Sequence, residues 1–95
     1  MPIVHKLKTW SDEWDAVSRR DKRFEFRRND RDFKVGDVLR LQRWNPVLGE
    51  YTGALDILVP VTYVLHGNHH HAFGVPEGYC VMSLDCNFEQ VARTD

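Results

Sequence analysis

The spacing of apolar residues changes at Arg23, dividing the chain into a helical start and a stranded remainder. Before that point Trp10, Trp14 and Val17 recur at helical intervals, which predicts a helix opening at Ser11 with these three side chains as its buried stripe. Asp12 and Glu13 stand in its first turn, where the positive end of the helix dipole favours acids, and Arg19 and Arg20 stand in its last. From Arg23 the period is two. Phe24 and Phe26 alternate with Glu25 and Arg27, so a strand is expected with its aromatic side inward and Glu25 and Arg27 sharing the outer face. A polar loop runs from there to the Val35-Gly36-Asp37 turn, Val38–Trp44 predicts a second strand, and Asn45-Pro46 opens another loop. Residues Leu55 to His66 then alternate over more than an ordinary strand length. Pro60, inside that run, has no N–H for a sheet ladder, so a bulge, a bend or an edge is expected there. HGNHHHAFGVPEG reads as a loop, and Tyr79–Leu84 as the closing strand. One N-terminal helix and four or more strands predict an α+β, mainly β fold built as a small, partly closed β-barrel.

A length of 95 residues accommodates one domain, spanning 1–95. Hydrophobic residues make up 42% of the chain and charged residues 28%, a mixture that supports a packed core and excludes the disordered class. No apolar run approaches the roughly 18–20 residues of a membrane span, and MPIVHKLKTW has no apolar core for a signal peptide. The expected location is therefore the cytoplasm, with no membrane partner. Cys80 and Cys86 are expected as two reduced thiols, the first inert in an apolar strand and the second with no basic neighbour to activate it. The net charge of −1 conceals a division, because residues 1–44 carry a net +4 and residues 45–95 a net −5. A basic half can face a polyanion even when the whole molecule is near neutral.

Most of that positive excess lies between Arg19 and Lys34, where eight cations are interrupted by Asp21, Glu25, Asp30 and Asp32. Two chemistries fit the pattern: a self-neutralised surface of ion pairs, or a site that reads a base with both signs, Glu25 accepting from an amino group and Arg27 donating to carbonyl or ring nitrogen. His5-Lys6-Leu7-Lys8 before the helix, then Asp21-Lys22-Arg23-Phe24-Glu25-Phe26-Arg27-Arg28-Asn29-Asp30-Arg31-Asp32-Phe33 running into Val35-Gly36-Asp37, resembles the phage and bacterial family of uncharacterised ASCH-like domains. Tyr51-Thr52-Gly53 and Gly78-Tyr79 agree with that family's later turn and final strand, so the likeness runs from His5 to about Leu84. It implies a PUA-like barrel and an RNA-binding role. In one respect the sequence departs from the family: Arg20 stands where relatives carry a glycine before the motif lysine.

The resemblance also implies an alternative, since an enzyme branch of the PUA-like superfamily hydrolyses acetylated cytidine with a lysine, a threonine nucleophile and a glutamate. Lys22 and Arg27 keep that branch's places, but Glu25 occupies the nucleophile's position, and Thr52 and Thr62 are not singled out by spacing. If the chain were such an amidohydrolase, Lys22, Glu25 and His5 would be its catalytic candidates, with Asp37 a further acid/base residue. That substitution favours a binding module over an enzyme.

In the binding reading Lys8, Lys22, Arg27 and Arg31 hold phosphate or sugar, and Glu25 and Asn29 read a base. Trp44 offers a stacking surface, and the His66–His71 loop closes over the ligand. His69 and His71 are the nearest to metal ligands that this loop offers, but consecutive histidines cannot all face one ion, and no metal or other cofactor is expected. The expected partner is RNA or a modified nucleotide. A further alternative, a phage factor that turns its charged face to a host protein, is compatible with the same residues.

Overall fold

The computed structural model describes residues 2–68 and 74–93. Its elements are β1 (Val4–Trp10), α1 (Ser11–Ser18), β2 (Phe24–Arg28), β3 (Val38–Asn45), β4 (Glu50–Tyr51), β5 (Asp56–His66), β6 (Tyr79–Leu84) and β7 (Glu89–Val91). The mainly β expectation with one short N-terminal helix holds. Strand β1 is a finding that the sequence did not signal, because only one of its three inward residues, His5, Leu7 and Thr9, is apolar. The strand delivers Trp10 to its outer face, so Trp10 is 61% exposed and leaves the predicted helical stripe, while Trp14 and Val17 stay buried. Helix α1 also stops at Ser18, so Arg19 is its C-cap and Arg20 lies just beyond it. Arg20 instead takes a φ of +66°, a backbone position that glycine occupies at lower cost.

The main sheet path runs β1-β3-β5-β6-β2, with β1 parallel to β3 and the remaining pairs antiparallel; β4 adds to β3 and β7 to β5. Strand β7 lies beyond Tyr79–Leu84, which the sequence pattern had closing the fold. Residues Ile57 to Pro60 pair with β3, whereas the second half of β5 pairs with β6, and the register shifts between Val61 and Tyr63 just past Pro60. That is the irregularity expected from the proline. One extra residue reverses the faces, which is why Ile57, Val59 and Val61 are buried but Tyr63 is exposed and Val64 takes its place inside.

The core gathers Leu7, Trp14, Val17, Phe33, Leu39, Leu41, Ile57, Val59, Val61 and Met82 inside the curved sheet, with α1 across β3 and β1. The indole of Trp14 donates to the Leu41 carbonyl at 3.1 Å, fixing the helix to that sheet. The two ends of the strand path, β1 and β2, share no backbone ladder. Arginines span the seam between them: Arg27 Nη2 donates to the Lys8 carbonyl at 3.0 Å and Arg31 Nη1 to the Lys6 carbonyl at 2.7 Å. The sheet is thus a curled half-barrel whose open side is bridged by side chains.

Candidate functional site

At the open seam lies a cleft of about 410 Å³, within the roughly 300–1,000 Å³ of small-ligand sites, lined by Lys8–Trp10 and Glu13 on one side and Lys22 with Phe24–Arg27 on the other. The orientation of β2 is the reverse of the expectation. Glu25 and Arg27 face inward beside their cross-strand partners Met82 and Cys80, and Glu25 is only 3% exposed, whereas Phe24 and Phe26 are each 48% exposed. The physical reason is the incomplete barrel: near an unclosed seam the inner face of an edge strand lines a cleft rather than the apolar core. Phe26 finds its ring partner outside, on Tyr79 at 5.7 Å.

Glu25 forms the floor. Its Oε1 accepts from Lys22 Nζ at 3.2 Å and its Oε2 from Arg27 Nε at 2.9 Å, so a cation flanks each carboxylate oxygen. Lys22 donates in addition to Glu13 Oε2 at 2.7 Å, and its ammonium lies 5.3 Å from the Phe24 ring centroid. Arg27 Nη2 reaches the Lys8 carbonyl and, at 3.4 Å, the Thr9 hydroxyl, leaving Nη1 without a partner among the described residues. With Lys8, Lys22 and Arg27 against Glu13 and Glu25, the lining carries a formal charge of +1. Trp10, Phe24 and Phe26 supply exposed aromatic surface at its rim.

Of the residues singled out by sequence, Lys8, Lys22, Glu25 and Arg27 come together here. The others are placed elsewhere. Arg31 bridges the seam further along β1, and Asn29 turns the chain by accepting from the Phe33 N–H at 3.1 Å and contacts His66 at 3.4 Å. Trp44 packs edge-on against Tyr51 at 4.8 Å with the Lys8 ammonium 3.8 Å from its centroid. His5 does not reach the cleft lining. It donates through Nε2 to Asp37 Oδ2 at 2.9 Å, packs against Phe33, and is almost fully buried. Asp37 also accepts from the backbone N–H groups of Lys34 and Ile3; burial opposes its ionisation, but these bonds and His5 prevail and hold the carboxyl below its ordinary value. His69 and His71 lie outside the described residues, and among those described no cluster suited to a metal ion occurs.

The cleft also uses residues that sequence reasoning passed over. Thr9 brings a hydroxyl, while Thr62 is paired with Ser83 at 2.7 Å and Thr52 caps the Ala54 N–H. Trp10 and Glu13 reach the site because β1 runs straight into α1. No apolar–polar alternation marks Thr9 and Trp10 in the sequence, because His5, Leu7 and Thr9 on one face and Lys6, Lys8 and Trp10 on the other each include a single large apolar side chain.

Residues 4–84 match the profile of a family described as "Domain of unknown function (DUF3850)". The chain belongs to this family. The DUF3850 match takes in β1 through β6 and every residue of the cleft, and leaves β7 outside. The chain is also 40% identical over 53 residues to an uncharacterized 12.9 kDa protein in the GpA 3′ region of Escherichia phage P2. That alignment covers 56% of this chain and 47% of the phage protein, so the shared segment spans about half of that relative. No helix is long and apolar enough to cross a membrane among the described residues.

Proposed function

We propose that the β1–β2 cleft binds an unpaired nucleotide of RNA, in a DUF3850 half-barrel of the PUA-like, ASCH-like type. The observation that carries this reading is the buried Glu25 carboxylate, flanked by Lys22 and Arg27, at the floor of a cleft rimmed by exposed Trp10, Phe24 and Phe26. Mixed-sign polar groups at the floor suit the edge of a base, and aromatic faces at the rim suit its stacking. A formal charge of +1 is too small for a phosphate track, so recognition centres on the base and one or two phosphates. The hydrolytic alternative has less support. The Thr9 hydroxyl donates to the Leu7 carbonyl, and Lys22 is engaged by two carboxylates, so neither is set up as a nucleophile–base pair.

Fluorescence anisotropy with labelled single-stranded and duplex RNA tests the proposal. The single strand is expected to bind better than the duplex, Trp10→Ala to weaken binding by about 5-fold or more, and log K to fall with log salt at a slope of only about −1 to −2. Equal binding of duplex and single strand, or indifference to Trp10→Ala, would remove the base-stacking site.

A further inference from the structure

We infer that the base taken by this cleft is guanine, an inference that rests on the nucleotide-binding reading above. Across the floor the polar atoms follow the order donor, acceptor, acceptor, donor: Lys22 Nζ, Glu25 Oε1, Glu25 Oε2 and the Arg27 guanidinium. Each carboxylate oxygen has capacity for a second hydrogen bond after meeting its cation. Lys22 retains one N–H beyond its two carboxylate bonds, and Arg27 retains Nη1.

The complement of such a row is acceptor, donor, donor, acceptor. Guanine presents the first three along its Watson–Crick edge, with the O6 carbonyl, the N1–H and the 2-amino group in that order, while its N3 acceptor lies round the corner on the sugar edge. The remaining bases lack the two adjacent donors. Cytosine offers one amino donor followed by two acceptors, uracil a single donor between acceptors, and adenine a donor followed by an acceptor. Each of these would bring an acceptor against a Glu25 oxygen. Burial makes that mismatch costly, because an acceptor facing a desolvated carboxylate has neither a proton nor water between them. The salt-bridged carboxylate is therefore a selective element, and Lys22 orients the guanine by claiming O6.

The test uses short uridine RNAs carrying one central guanine, inosine, adenine, cytosine or uracil, titrated into the full chain by anisotropy. The guanine RNA is expected to bind at least about 10-fold tighter than the adenine, cytosine and uracil RNAs. Inosine, which lacks only the 2-amino group, is expected to fall about 10-fold below guanine. Glu25→Gln, which replaces one acceptor by a donor, is expected to erase the guanine preference, bringing the guanine and inosine RNAs within about 3-fold of each other. Should Glu25→Gln fail to fold, the guanine-to-inosine ratio on the unaltered protein decides. Equal affinity for guanine and inosine, or preference for another base, overturns the guanine assignment and leaves nucleotide binding standing. Absence of binding by all five RNAs overturns both.

Discussion

Replacing Arg27 by alanine tests the geometry of the seam, because this one side chain joins β2 to β1 and neutralises one side of Glu25. Three donor contacts disappear: to Glu25 Oε2 at 2.9 Å, the Lys8 carbonyl at 3.0 Å and Thr9 Oγ1 at 3.4 Å. A hydrogen bond to a charged partner contributes about 1.5–3 kcal/mol and one to a carbonyl about 0.5–1.5 kcal/mol. Breaking a fully buried pair costs about 3–5 kcal/mol, but the Arg27 side chain is 26% exposed, and Lys22 still faces Glu25. The expected loss is about 2–3 kcal/mol, equivalent to a fall in Tm of roughly 10–20 °C for a domain of this size. Arg31→Ala, which removes a single bond to the Lys6 carbonyl, is expected to cost only about 0.5–1 kcal/mol. Urea denaturation followed by far-ultraviolet circular dichroism measures both. Adding Glu25→Leu to Arg27→Met should recover most of the loss, since the cost comes from a carboxylate stripped of one cation. An Arg27→Ala protein no less stable than Arg31→Ala, or a double variant less stable than Arg27→Ala, would show that Arg27 does not hold the seam through Glu25.

The Asp37 carboxyl, held below its ordinary value of 3.8, contributes stability that is fully present above that value and is lost as pH falls through its folded pKa. Asp37→Asn should therefore lower stability by about 2 kcal/mol at pH 7 and begin to converge on the wild type only as pH falls below 3.8 towards the folded pKa; parallel stability curves down through that range would contradict this. Arg20→Gly should be more stable than Arg20→Ala by about 1 kcal/mol in thermal melts, since both lose the bond to the Cys86 carbonyl and the Phe88 contact but only glycine relieves the positive φ. Equal stabilities would show that the turn is not strained. With a thiol-reactive dye the native protein should expose one fast thiol, Cys86, while Cys80, fully buried and with its thiol pushed up by that burial, reacts only on unfolding. Two fast thiols in the native protein would mean that β6 opens.

Much of the fold was legible because period and punctuation agree with tertiary structure over β3, β5 and β6, and because Pro60, with no N–H to donate, must interrupt the ladder inside a strand. Part of the basic motif forms β2, which lines the cleft, but with the opposite face inward to the one its periodicity indicates. In β2 hydrophobicity points one way and topology the other: the strand lies at the seam, so Glu25 turns inward to Lys22 and Arg27 while Phe24 and Phe26 stay half exposed. Strand β1 was missed because its inward positions are filled by a histidine bonded to Asp37 and a threonine bonded to the Leu7 carbonyl, polar groups satisfied by partners remote or local that no spacing reveals. For the same reason His5 read as a catalytic candidate, although its partner Asp37, 32 residues away, makes it a clamp on β1.

Whether the β1–β2 cleft holds a nucleotide is read residue by residue in a ¹⁵N–¹H correlation spectrum titrated with a short guanine-containing single-stranded RNA. The largest shifts are expected on Lys8, Thr9 and Trp10 of β1 and on Lys22 and Phe24–Arg27, together with the Trp10 indole N–H, while the Trp14 indole N–H stays fixed on the Leu41 carbonyl. Shifts centred on another face, or a spectrum unchanged at saturating RNA, would contradict nucleotide binding in this cleft.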